Sequence, residues 1–180
     1  MGYTREDFAR VTTIPCEVFK RPVYNHSVIQ GQLLQAIQSM GINSISDEGQ
    51  KITHTDWNIP LEIPRPYTKL VQEVFDDHFR AFAQEFHYTR CELVGYWFQQ
   101  YAKGDFHSVH CHAECNLSSI YYVTLTAENP KTTFIYRDQE YAFDIREGDI
   151  ITFPSFLRHQ SPPNQSDQIK TVISMNVNVI

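Results

Sequence analysis

The sequence predicts a mainly β fold with N-terminal helices (α+β), an antiparallel β-sandwich or barrel with helices packed on one outer face. Three observations carry this expectation. Two amphipathic helical stretches lie before residue 90, at least six short β-branched and aromatic runs follow it, and turn residues punctuate those runs. At 180 residues the chain is within the size of one domain. We divide it into a helical and extended support over residues 1–90 and a β core over residues 91–180.

Residues 11–23, VTTIPCEVFKRPV, read as an extended segment or edge strand, because two prolines interrupt a β-branched run. Ser27 to Met40 reads as a helix with Ser27 as N-cap, Gly41 past its end, and Val28, Leu33, Ile37 and Met40 on one face. Residues 42–66 are polar and contain Pro60, Pro64 and Pro66, which predicts a long irregular connection. Within it, Thr55-Asp56-Trp57-Asn58 reads either as a functional loop or as a tryptophan anchoring the loop to the core. The next segment, PYTKLVQEVFDDHFRAFAQEFH, spaces Leu70, Val74, Phe75, Phe79, Phe82 and Phe86 as one helical face, with His78 and His87 expected on the solvent side.

From Cys91 onward come CELVGYWFQQY, LSSIYYVTLT, TTFIYR, YAFDI, DIITF and KTVISMNVNV. Turns at Lys103-Gly104-Asp105, Glu128-Asn129-Pro130 and Glu147-Gly148-Asp149 separate several of them. The last run alternates most clearly. Thr171, Ile173, Met175, Val177 and Val179 form a dry face, while Lys170, Val172, Ser174, Asn176 and Asn178 face either solvent or a polar cavity.

Composition excludes several classes. A net charge of −6 and a pI near 5.7 offer no basic field for phosphate backbones, so general nucleic-acid binding is disfavoured. The opening MGYTREDFAR lacks an apolar signal core, and no apolar run reaches the ~18 residues that span a bilayer, so no membrane partner is expected and we read the protein as cytoplasmic. Cys16, Cys91, Cys111 and Cys115 have no CxxC spacing and read as free thiols, with Cys111 and Cys115 keeping a weak claim as metal ligands.

The histidines carry the chemistry. His107, His110 and His112 follow the Gly104 turn, and His159 closes GDIITFPSFLRH. If residues 108–115 are extended, His110, His112 and Glu114 project from one face. An H-x-H pair alone is weak evidence, but a third histidine on a later strand matches a mononuclear site that takes two ligands from one strand and one from a distant strand.

Residues 97–178, with WFQQYAKGDFHSVHCHAECNLSSIYYV, then EGDIITFPSFLRHQSPP, then KTVISMNV, resemble the barrel half of a family of small 2-oxoglutarate- and iron(II)-dependent oxygenases. The shared pattern is a Trp-led strand, a Gly turn, H-x-H, a Ser-x-Tyr-Tyr strand and G-D-x-x-x-F-P-S-x-x-x-H. The resemblance implies a double-stranded β-helix (jelly roll), Fe(II) as cofactor and 2-oxoglutarate and O₂ as cosubstrates. It carries His110 and His159 over as metal ligands, with His112 as the third and Glu114 as its alternative. It also carries Lys170 over as the group that grips the far carboxylate of 2-oxoglutarate, where many relatives have arginine, with Tyr122 and Ser174 as further contacts. The implied reaction is oxidation of an unidentified substrate, a small molecule or a protein side chain, by hydroxylation with release of succinate and CO₂. Its substrate contacts would fall to segments 42–66 and 126–147. Oligomeric state stays open.

A cupin-like metalloprotein, acting as a 2-oxoglutarate-independent dioxygenase, isomerase or small-ligand binder, is the alternative. GDFHSVHCH fits G-x5-H-x-H, but position 116 is Asn where that pattern places Glu, and Phe156 stands where it places Gly. Lys170 would then have no task. A non-catalytic interaction module is a third reading, favoured if the histidines are exposed.

Overall fold

The structure, a computed structural model, describes residues 17–180 apart from 42 and 61. Cys16 and residues 11–16 of the extended segment lie outside the described residues. The first half carries β1 (Phe19–Pro22), α1 (His26–Gln38), β2 (Ile45–Ser46), β3 (Gln50–Ile52), β4 (His54–Thr55) and α2 (Thr68–Glu85). The second half carries β5 (Cys91–Tyr101), β6 (Phe106–His110), β7 (Leu117–Thr124), β8 (Thr133–Tyr136), β9 (Gln139–Ala142), β10 (Asp149–Pro154), β11 (Arg158–Ser161) and β12 (Lys170–Val179).

These strands form two six-stranded sheets, ordered β1-β10-β7-β12-β5-β4 and β2-β3-β6-β11-β8-β9. Every pairing within them is antiparallel. From β5 to β8, and again from β10 to β12, each successive strand crosses to the opposite sheet. That winding is the double-stranded β-helix, and it encloses a lumen between the sheets.

The first sheet has two different faces because its side chains alternate. Ile173, Met175 and Val177 of β12, with Tyr121 and Val123 of β7, pack beneath Leu33 and Ile37 of α1 and Val71, Val74, Phe75 and Phe79 of α2. Val172, Ile120, Tyr122, Phe153 and Tyr101 face the other way and join Phe134 in a second cluster between the sheets. The helices therefore cover one outer face, and the polar alternate residues of β12 turn inward.

Several expectations need correction. The N-cap of α1 is Asn25 rather than Ser27, and the buried face is Ile29, Leu33 and Ile37, leaving Val28 exposed. Spacing alone tolerated either choice, since 28 and 29 are neighbours on a helix. His78 is buried rather than solvent-facing: its Nε2 lies 2.7 Å from Thr152 Oγ1, which is itself 2.7 Å from Ser119 Oγ. The 42–66 connection contains β2, β3 and β4, which extend both sheets. Two- and three-residue strands leave no periodicity to read.

Asp56, in that same connection, is fully buried. Its carboxylate accepts hydrogen bonds from Arg65 Nε (2.6 Å), the Tyr67 hydroxyl (2.6 Å) and the Phe98 backbone N–H (2.8 Å). A paired and fully bonded charge of this kind pins the loop onto β5.

Candidate active site

Gly104, at a φ of 81°, turns β5 into β6, and buried Asp105 braces the turn by accepting from the backbone N–H groups of Ala102 and Thr53. On β6, His110 pairs with His159 of β11, and His107 pairs with Ser161. Three steps on β6 thus face two on β11, a bulge that turns both His107 and His110 to the lumen. The chain leaves the sheet after His110. The His112 N–H bonds Ser155 O, and Ser155 Oγ donates to Cys115 O, so the extension expected through residue 115 ends early. Glu114 is left exposed at the cavity rim.

His110, His112 and His159 each present one ring nitrogen, and these three lie within 4.8 Å of one another. The orientation of each ring is fixed by its other nitrogen. Nδ1 of His110 donates to Ser108 O (2.8 Å), Nδ1 of His159 to Leu157 O (2.9 Å), and Nδ1 of His112 to Asn176 Oδ1 (2.7 Å). All three acceptors are carbonyl oxygens that cannot donate, so Nδ1 carries the proton and Nε2 keeps its lone pair. Burial lowers the pKa of all three rings, that of His159 to about 3. They are neutral at pH 7, the state a metal ligand requires. This donor set fits a divalent transition ion. Among the described residues, neither Glu114 nor any cysteine joins the cluster; Cys91, Cys111 and Cys115 are free thiols.

A cavity of about 410 Å³ lies around the three rings. At one end is Lys170, 1% exposed although it carries an ammonium. Its Nζ donates to Pro130 O (2.9 Å) and Ser161 Oγ (2.8 Å) and lies 5.3 Å from the centre of the Tyr101 ring. Burial pulls its pKa down to about 7. Ser174 also lines the cavity, and its hydroxyl donates to Gln99 Oε1. Tyr122 stands one layer back: its hydroxyl donates to Thr132 Oγ1 (2.7 Å), and Thr132 forms the wall.

At the other end, Trp57 stacks on Trp97 (5.9 Å between ring centres, 15° between planes), and Trp97 stacks on His112 (6.2 Å, 18°). Trp57 is 39% exposed at the mouth, so the tryptophan of the 55–58 loop belongs to the cavity wall. Sequence reasoning did not find Asn176, Ser161 or Tyr101 as site residues. Only the parity of β12, β5 and β11 pointed toward them, and parity does not say which face is a lumen.

Residues 95–176 match the family described as "Putative 2OG-Fe(II) oxygenase". Among solved structures, an oxidoreductase of the 2OG-Fe(II) oxygenase family from Burkholderia pseudomallei aligns with a TM-score of 0.71 at 12% identity, covering 89% of this chain and 84% of that one. A viral collagen prolyl hydroxylase from Paramecium Bursaria Chlorella virus-1, in complex with 2OG, gives 0.61 at 13% identity, covering 89% and 94%. HygX from Streptomyces hygroscopicus, with nickel, 2-oxoglutarate and hygromycin B bound, gives 0.62 at 10% identity, covering 89% and 82%. The curated proteins include no significant match. Residues 95–176 are thus similar in sequence to the 2-oxoglutarate- and iron(II)-dependent oxygenases, and nearly the whole chain shares the fold of such proteins. Among the described residues no helix is long and apolar enough to cross a membrane.

Proposed function

We propose that this chain hydroxylates a substrate C–H bond, with His110, His112 and His159 holding iron(II) through Nε2 and Lys170 holding the far carboxylate of 2-oxoglutarate. One observation carries the reading: three Nε2 lone pairs are pre-oriented by three Nδ1–H bonds, in a cavity whose far end holds a buried ammonium. Iron bound there with 2-oxoglutarate supplies the activation of O₂, coupled to decarboxylation of 2-oxoglutarate to succinate and CO₂.

The protein's own groups do the positioning. Lys170 meets a carboxylate with a charge-assisted hydrogen bond, which offsets the cost of keeping the ammonium out of water. Ser161 and Pro130 aim its Nζ, and the Tyr101 ring closes one side. Lysine offers one point charge where arginine offers a bidentate fork, so the hydroxyl-bearing wall at Thr132 and Ser161 has more of the orienting to do. Tyr122 acts through Thr132, and Ser174 through Gln99. Asn176 holds the His112 ring in the tautomer that presents Nε2. A cupin-type binder gives no task to a buried lumenal lysine, which favours the oxygenase.

The test is calorimetric titration of 2-oxoglutarate into manganese-loaded protein, followed by an assay of succinate formed by the iron-loaded protein with O₂. Binding in the wild type that is lost in Lys170→Ala supports the assignment. Absence of binding in the metal-loaded wild type overturns it.

A further inference from the structure

The cavity end remote from Lys170 is uncharged except for the exposed Glu114 at its rim, and its polar groups are unequally used. The acceptor atom of Asn176, Oδ1, is taken by His112 Nδ1–H, while its Nδ2 makes no hydrogen bond in the described fold. Trp97 Nε1 and Ser118 Oγ are buried and likewise without a partner, and Ser118 is only 2% exposed. Ser118 and Asn176 sit directly opposite each other across β7 and β12, and Trp97 lies on the neighbouring β5. A fold that satisfies nearly all its buried polar groups leaves such donors unpaired only at a cost, about 1–3 kcal/mol for each buried group.

Taking the oxygenase reading above as its basis, we propose that Trp97, Ser118 and Asn176 are the substrate-recognition residues. They select a substrate group that presents a hydrogen-bond-accepting oxygen and carries no positive charge. The indole N–H and the amide Nδ2 can only donate, so an amide, carbonyl or ether oxygen completes them, whereas an ammonium would meet donors in a site with no buried carboxylate. With 2-oxoglutarate held at the Lys170 end, this end is what remains for the substrate. Trp57 at the mouth supplies a ring face on the way in.

The test uses protein loaded with zinc, which is diamagnetic, and with 2-oxoglutarate, titrated by ligand-observed NMR with N,N-dimethylbenzamide and with benzylammonium. The two probes share a ring and differ in acceptor against cation. We expect the amide to bind at least tenfold more tightly than the ammonium, and Trp97→Phe, which keeps the ring and loses the N–H, to weaken the amide about threefold or more. Asn176→Asp keeps an oxygen for His112 Nδ1–H but turns the free donor into an anion, so it should retain zinc and reverse the preference. Equal binding of the probes, no amide binding, or an unchanged order in Asn176→Asp together with no effect of Trp97→Phe overturns the proposal. Failure of 2-oxoglutarate to bind the zinc-loaded wild type, measured before any probe is added, overturns the reading beneath it instead.

Discussion

Lys170 Nζ donates to Ser161 Oγ at 2.8 Å, and Ser161 lies two residues beyond His159 on β11. Side chains two apart on a strand share a face, so the buried ammonium and the distal histidine are held by one strand at a fixed separation. In the proposed assignment, the cosubstrate anchor and the metal ligand are therefore linked through β11.

Removing the ammonium separates the two roles. Lys170→Ala should weaken 2-oxoglutarate binding at least tenfold, from the roughly 1.5–3 kcal/mol of a hydrogen bond to a charged group, while metal affinity stays nearly unchanged. Titration of each ligand in turn measures both. Unaltered 2-oxoglutarate affinity would remove Lys170 from the anchor.

The same lysine should cost stability when 2-oxoglutarate is absent. Its folded pKa of about 7 lies below its ordinary 10.5, so between those values the unfolded chain binds a proton that the folded chain does not. The stabilising contribution is full above pH 10.5 and is lost as pH falls toward 7, at about 1.4 kcal/mol per unit. Lys170→Met should thus melt higher than wild type at pH 7, with the advantage shrinking toward pH 10.5. A lower melting temperature for the variant at pH 7 would show that the bonds to Pro130 and Ser161 outweigh desolvation.

For the metal, His110→Ala and His159→Ala should each abolish stoichiometric iron(II) binding with circular dichroism nearly unchanged, because the cluster beneath the helices lies apart from the three rings and only His159 meets the second cluster, at Phe134 and Phe153. His112→Ala should do the same. Glu114→Ala should leave affinity close to wild type, since this side chain is exposed and outside the cluster. Asn176→Ala, which frees the His112 ring, should weaken binding about 10–100-fold. Metal analysis of the purified variants decides the ranking, and a larger loss in Glu114→Ala than in His112→Ala would replace the third ligand.

His78 predicts an acid sensitivity independent of the site. Burial lowers its pKa from 6.5 to about 3, so the folded chain keeps it neutral where the unfolded chain protonates it. Its contribution to stability is intact above pH 6.5 and falls by about 1.4 kcal/mol per unit as pH drops toward 3. Urea unfolding of His78→Gln should show a shallower loss below pH 6.5 than wild type, and identical slopes would mean that His78 is already protonated in the fold.

Asp56→Ala should destabilise the chain by about 3–5 kcal/mol, because Arg65 is left buried without its partner. Denaturant midpoints measure this directly, and a loss below about 1 kcal/mol would mean that water reaches the guanidinium.

The sequence by itself determined the strand-rich second half, a helix within residues 66–87, the alternation of the last strand and the grouping of His110 with His159. All of these rest on local periodicity or on motif spacing, which a linear chain displays. It could not choose between Ile29 and Val28, or place His78, because a one-residue rotation of a helix hardly changes its pattern. It missed β2 to β4, whose two or three residues pair only because distant strands offer them partners. Tertiary structure decided the rest of the site. The bulge on β6 brings His107 beside His110, the early departure of the chain after His110 separates His112 from Glu114, and the packing of the two sheets sets Asn176 of β12 against His112 from 64 residues away. These relations are long-range pairings, fixed by sheet register and by burial of the outer face under the helices, and no spacing along the chain encodes them.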